Sequence, residues 1–308
     1  MRVVVIGAGV VGASIAFRLA QAGAEVTVLD AGRIGGGTSS VSFAWLNSAS
    51  GHVPEAYHAL RIASMVAHRE TWEAFGRPAW FHPSGSLEWV APEKRAAQAG
   101  NIARLLARGY AVEWITREAA LAREPDLDPA AIGDAPVAWF PDEGWLDPVP
   151  CAGAMLRAAR ALGAVLREDA RVLAIEASGG RVGGVRLADG TRIPADRVVN
   201  CAGRWADAIA EDPDPRMQPV RDMMAGAARL FLALRGVEAE AVRIGARPMP
   251  KDGLSAVGPM PRMEGYYLAV THSGVTLSAI LGRLVAEEVA LDRISAALEP
   301  FRPARFFN

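Results

Sequence analysis

Cysteine is scarce. Cys151 and Cys201 are the only two in 308 residues, and neither stands in a CxxC or metal-ligand spacing, which excludes a disulfide framework and suits a reduced, cytoplasmic setting. Neither sign of charge prevails. With 33 Lys plus Arg against 34 Asp plus Glu the formal net charge is -1, so no broad basic field exists to neutralise a phosphate backbone, and nucleic acid is not an expected partner. Uninterrupted apolar runs of the ~18 residues needed to span a bilayer are missing. The stretch from Val3 to Phe17 behind Arg2 has the outline of a signal peptide, but glycines interrupt it at fixed positions. Among five histidines no HExxH, Cys/His cluster or EF-hand spacing occurs, so no metal is expected. GxSxG is absent too, and the acid pairs Asp142–Glu143 and Asp126/Asp128 flank prolines and glycines, where turns and caps account for them. Glycine, by contrast, is abundant at 31 residues and clustered, which points to backbone that must approach a ligand closely.

The first cluster is N-terminal. Val3-Val4-Val5-Ile6 is a β-branched run suited to a strand buried on both faces of a parallel sheet. Gly7-Ala8-Gly9-Val10-Val11-Gly12 follows, then an apolar helix from Val11 to Ala22 with Gly23 as its left-handed stop. Glu25 to Leu29 alternates like a strand and delivers Asp30, eighteen residues past Gly12, where a carboxylate can accept ribose hydrogen bonds. Strand, glycine turn, helix and acid together specify a dinucleotide site, with the pyrophosphate on the helix N-terminus. This unit alone leaves NAD and FAD equally open.

A second glycine turn, Ala31-Gly32-Arg33-Ile34-Gly35-Gly36-Gly37-Thr38-Ser39-Ser40, comes straight after Asp30 and ends in hydroxyl residues suited to capping and phosphate contact. Here the chain resembles the D-amino-acid oxidase superfamily of flavoproteins, the group of glycine oxidase, sarcosine oxidase and D-amino-acid dehydrogenase. The resemblance implies that Ala31, Arg33, Gly37, Thr38, Ser39 and Ala44-Trp45-Leu46-Asn47 run along FAD toward its isoalloxazine ring. It returns at Arg171–Ile175, Val182–Leu187 and Thr191–Ile193, whose Gly179-Gly180 and Asp189-Gly190 turns predict an antiparallel meander, and implies that Val172 meets the adenine through its backbone. It returns again at Val198–Gly203, where Cys201, Ala202, Gly203 and then Trp205 would lie beside the cofactor, Cys201 as a small buried hydrophobe. Finally, Gly265–Val270 reads as a strand and Thr271-His272-Ser273-Gly274 as the turn into a helix over 275–289; by resemblance His272, Ser273, Gly274, Val275 and Thr276 face the flavin. No cysteine lies near Met249 for covalent attachment, so FAD is expected to be held noncovalently.

Toward the substrate, Arg247 lies in Gly245-Ala246-Arg247-Pro248-Met249-Pro250, where the prolines hold the chain extended. The resemblance implies that Arg247 grips a substrate carboxylate, which a planar guanidinium can do bidentately. His52 and His272 are further candidates beside the flavin. Trp139, Phe140 and Trp145 read as core. The expected fold class is α/β, a Rossmann-like FAD-binding domain of parallel sheet plus meander over 1–71, 140–212 and 243–308, with a smaller α+β substrate domain over 72–139 and 213–242. One departure from the family stands out: only about thirty residues separate Asp212 from Arg243, without the further strands and closing aromatic residue that relatives carry there. The expectation is therefore FAD-dependent oxidation of the C–N bond of a small amino acid or secondary amine, with oxygen or a quinone reoxidising the flavin. A flavin-binding partner subunit, or a degenerate relative whose shortened domain is an interface, is the alternative; a homo-oligomer could also cover that face. An NAD-dependent dehydrogenase would leave the second glycine turn and the C-terminal turn unexplained.

Overall fold

The computed structural model describes residues 1–49, 51–206, 217–237, 239–240, 243 and 245–307, with backbone alone at 217–222. The expected domain boundary at 212/213 lies outside the described residues. In chain order the first half comprises β1 (Arg2–Ile6), α1 (Val10–Gln21), β2 (Glu25–Leu29), β3 (Trp45–Leu46), α2 (Glu55–Ala74), β4 (Phe81–His82), β5 (Ser86–Glu88), α3 (Arg95–Ala107), β6 (Glu113–Ile115), α4 (Arg117–Arg123), α5 (Pro129–Ile132), β7 (Val137–Phe140) and β8 (Gly144–Leu146). There follow α6 (Pro148–Ala161), β9 (Val165–Arg167), β10 (Val172–Ser178), β11 (Arg181–Leu187), β12 (Arg192–Pro194), β13 (Arg197–Asn200), α7 (Met217–Leu230), β14 (Ala256–Pro259), β15 (Tyr266–Val270) and α8 (Gly274–Leu291).

Six strands form the central sheet in the order β14-β15-β13-β1-β2-β9. Every pairing is parallel except β14 with β15. Val5 stands opposite Val28 on one side and Val199 on the other, which is why this β-branched run is buried. Alternation then sorts its side chains: Val3 and Val5 join α1, α6 and α8 in one core, and Val4 joins Leu29 and Val198 against the meander β10-β11-β12. A sheet covered on both faces needs strands apolar on both faces, as the sequence has.

Two small three-stranded sheets, β3-β8-β4 and β5-β7-β6, stand apart from the central one. In this part of the chain β5 is only three residues, Ser86–Glu88, and α3 follows a separate 3₁₀ turn over Pro92–Lys94. Asp147 precedes Pro148 at the start of α6, but its carboxylate makes no capping bond; it sits 3.5 Å from His82 Nε2. Phe140 is core as expected, whereas Trp145 is 42% exposed, because its ring stacks on His82 at 3.6 Å along the open side of β8. Among the described residues no helix is long and apolar enough to cross a membrane.

Candidate cofactor and substrate site

The glycines of the first turn are required by contact. Gly7 has φ +104°, and a Cβ there would stand 2.5 Å from the Cys201 carbonyl oxygen; one on Gly12 would stand 2.0 Å from the Gly7 carbonyl oxygen. Either substitution would separate β1, α1 and the end of β13 at their common junction. Asp30 does more than end β2. Its Oδ2 accepts from Ala8 N at 2.6 Å and its Oδ1 from Gly32 N at 2.8 Å, so one carboxylate ties the first glycine turn to the second. The second turn is pinned to its neighbours as well: Gly35 N donates to the Ala8 carbonyl, and Ser39 Oγ accepts from Val10 N at 3.1 Å.

The site residues expected from the sequence divide by placement. Ala31 and Arg33 are exposed, Arg33 reaching Glu168 at 3.5 Å. Gly37 lies against the ring of Trp205, and Thr38 Oγ donates to the Ala246 carbonyl at 2.7 Å, which brings the segment bearing Arg247 onto the second glycine turn. Ala44 takes φ +60° and leads into β3, where Leu46 is buried and Trp45 half open. Thr276 Oγ donates to the Trp45 carbonyl, joining β3 to the first turn of α8. Val172 opens β10, half-buried. Cys201 is buried, and burial pushes its thiol far up, while it pushes that of Cys151 up to about 12, as suits two packing residues. Ala202 N donates to Asn200 Oδ1, and Gly203 sits at φ +59° in the turn that presents Trp205.

His272 is half-buried. It stacks on Tyr57 with ring centres 5.7 Å apart and lies 3.3 Å from the Tyr57 hydroxyl through Nε2, leaving Nδ1 without a partner. Burial holds it below its usual pKa, and the positive charges of Arg61 and Arg247 push in the same direction, so the ring is neutral at pH 7. Arg247 is exposed. His52, the third candidate, is not gathered with them: it is exposed and meets Arg104 of α3 at 3.1 Å.

Six residues absent from the site expected from the sequence complete it. Tyr57 and Arg61, one turn apart on α2, are both buried, and an Arg61 Nη donates to Asn47 Oδ1. Next to Asn47, Ser48 N donates to Glu143 Oε1, which also accepts from the Tyr110 hydroxyl at 2.7 Å, while Oε2 accepts from Ser86 Oγ at 2.6 Å. A polar seam thus runs from the small sheets to the α8 turn. The only trace in the sequence is the spacing of Tyr57 and Arg61, which places an aromatic and a cation on one helix face.

This arrangement fits FAD. The first turns of both α1 and α8 lack a capping side chain of their own, the surfaces at Gly7 and Gly12 admit only backbone, and two helix N-termini suit a pyrophosphate and an electron-rich ring edge. The comparisons agree. A family model described as DAO, FAD dependent oxidoreductase, matches residues 2–225 and 210–288. Glycine oxidase of Geobacillus kaustophilus is 25% identical over 368 positions, covering 98% of this chain and 96% of that protein. Since 368 exceeds the chain's 308 residues, the alignment opens gaps in this chain. The hydrogen cyanide synthase subunit HcnC of Pseudomonas aeruginosa is 24% identical, with 99% and 96% covered. In fold, the chain superposes on the G. kaustophilus glycine oxidase with TM-score 0.86 at 22% identity and 98% of each chain, and on L-proline dehydrogenase from P. horikoshii with 0.88 at 22% identity, covering 99% and 97%.

Proposed function

The chain belongs to the DAO family of FAD-dependent oxidoreductases and acts on the CH–NH or CH–NH2 group of amine donors; on that premise we propose that its substrate is a small amino acid or secondary amine whose carboxylate is held by Arg247. Bound FAD supplies the acceptor for the hydride that leaves the carbon next to nitrogen. The amine must arrive neutral, so that its lone pair closes the C=N bond of the imine as the hydride departs; water then hydrolyses the imine. Arg247 fixes the carboxylate and hence the direction in which the C–H bond points. The first turn of α8 offers free N–H groups to the negative charge that accompanies reduction, and neutral His272 adds no positive charge that would hold the amine off.

The observation that carries this reading is the placement of Arg247. Thr38 anchors its segment to the second glycine turn, and the charge of Arg247 lowers the pKa of His272 at the head of α8, which supports a role for Arg247 near both cofactor-binding turns. Replacement of Arg247 by Ala should raise KM for an amino acid by about tenfold or more, the loss of a charge-assisted hydrogen bond, with kcat moving less; unchanged KM removes the assignment.

A second reading has a specific observation behind it. One relative is by its name a subunit, and Met223, Leu230, Leu232 and Val237, in the shortened part of the chain, are exposed apolar side chains. On this reading that segment meets a partner subunit. Sedimentation of the purified chain, alone and co-expressed with its chromosomal neighbours, separates the two.

A further inference from the structure

Two shielded arginines of this chain are treated oppositely. Arg302, near the C-terminus, gives both terminal nitrogens to Glu288 at 2.7 and 2.6 Å, and the Tyr267 hydroxyl donates to the same carboxylate. Its charge is matched where it is buried. Arg61 is 8% exposed, yet among the described residues no carboxylate lies within ion-pair distance of it. Of its five N–H donors one meets Asn47 Oδ1, and Nε is buried without a partner. The Glu143 carboxylate acts on Arg61 through space, but it makes no direct bond to the guanidinium: its oxygens accept from Ser48 N, Tyr110 and Ser86. A buried guanidinium with open donors and no direct ion pair is costly, so the position suits an anionic acceptor that comes from outside.

The geometry says where that anion would sit. Arg61 hangs from Asn47, at the end of the β3 segment, and stands one helical turn from Tyr57, whose hydroxyl touches His272. Arg247 bears on the same imidazole. Both guanidiniums therefore act on the imidazole at the head of α8, one exposed on the 245–250 segment and one buried on α2. We propose that Arg61 is a second anion-binding residue of the substrate site, and that the substrate is an amine carrying two acid groups, one met by Arg247 and the other by Arg61. This rests on the amine-oxidising reading of the site, and its test is chosen to be independent of turnover.

The probes are thiodiacetate, a diacid with no oxidisable nitrogen, and methylthioacetate, its single-acid counterpart, each titrated calorimetrically into the FAD-loaded protein. The wild type should hold the diacid at least about tenfold more tightly, the gain of a charge-assisted hydrogen bond. Arg61→Met should erase that preference, and Arg61→Lys should keep part of it. Absence of diacid binding, equal affinity for the two probes in the wild type, or an equal loss for both in Arg61→Met overturns the proposal. Because neither probe can be oxidised, failure of amine oxidation leaves this readout standing. A purely structural arginine is separated by melting: without ligand, Arg61→Met should melt at or above the wild-type temperature, since it removes a buried cation that no carboxylate pairs directly, and a fall of several degrees contradicts the proposal. In turnover the same preference should appear as a higher kcat/KM for iminodiacetate than for sarcosine, narrowed in Arg61→Met.

Discussion

Helices α1 and α2 pack against the same partner, α8, but bury side chains of opposite chemistry. On α1, covered nearly all round, these are Val10, Gly12, Ala13, Ser14, Ile15, Ala16, Phe17, Leu19 and Ala20; on α2 they include Tyr57, His58, Arg61, Ser64, His68 and Thr71. The first is a packing surface. Ser14 of α1 comes so close to Gly282 of α8 that a Cβ on the glycine would meet Ser14 Oγ at 2.3 Å, and the tightness sets the angle at which α1 presents its N-terminus. The second is a hydrogen-bonding surface. Tyr57 reaches His272, Arg61 reaches Asn47, Ser64 Oγ accepts from Ile280 N at 3.2 Å, and His68 Nε2 donates to the Val275 carbonyl at 3.0 Å. Buried polar groups are costly unless partnered. Their concentration on α2 ties that helix to α8 and to Asn47 beside β3 by hydrogen bonds.

The contrast can be broken first on the α1 side. Gly12→Val puts side-chain atoms into the Gly7 carbonyl, so the protein should emerge without flavin or insoluble; a visible spectrum of the purified variant checks this, and a yellow, wild-type-like protein contradicts it. Gly282→Leu should cost about 1–3 kcal/mol or more by overpacking, read as a lower midpoint in urea, because the helices cannot both keep their angle and admit the branch.

On the α2 side the sharper probe is pH. Burial holds His68 down at a pKa of about 4 against an ordinary value of 6.5, so the folded state keeps it neutral while the unfolded chain takes up a proton. Stability from this group is complete above pH 6.5 and is lost as pH falls toward 4, a difference of about 3 kcal/mol at the acid limit. His68→Gln, which keeps a donor for the Val275 carbonyl, should flatten the decline of melting temperature between those values; an unchanged slope would place the acid sensitivity elsewhere. The smallest effect belongs to His52. Exposed and beside Arg104, it should tolerate replacement by Ala within about 0.5 kcal/mol and with kcat/KM unaltered, and a large loss of turnover would bring it back into the site.

The same contrast explains what could be read from the chain alone. Strand, glycine turn and apolar helix obey short-range rules, so β1, α1 and β2 could be placed to within a residue or two, and the role of Gly7 and Gly12 follows from spacing. The meander and the turn into α8 were equally legible, because Asp189-Gly190 and Ser273-Gly274 carry their geometry locally. The polar seam was not. Glu143 read as a turn residue beside Pro141 and Gly144, yet it is 1% exposed and gathers Ser48, Ser86 and Tyr110 from three distant segments. Arg61 looks like any surface cation on an amphipathic helix, and only the folded chain shows it buried with Nε unpartnered. Asp30 shows a milder form of the same limit, since its hydrogen bonds to Ala8 and Gly32 add a backbone-tying function to the ribose role that its spacing suggests.

The most direct test of the account is the flavin spectrum of the FAD-loaded protein under anaerobic addition of glycine, sarcosine, proline, D-alanine and iminodiacetate. The account predicts that the yellow band bleaches with at least one of these amines, and faster with the diacid. A flavin that stays oxidised with every one of them, in a protein that holds FAD tightly, would contradict the proposed oxidation of small amino acids and leave the exposed apolar side chains of Met223, Leu230, Leu232 and Val237 as the place to look for its partner.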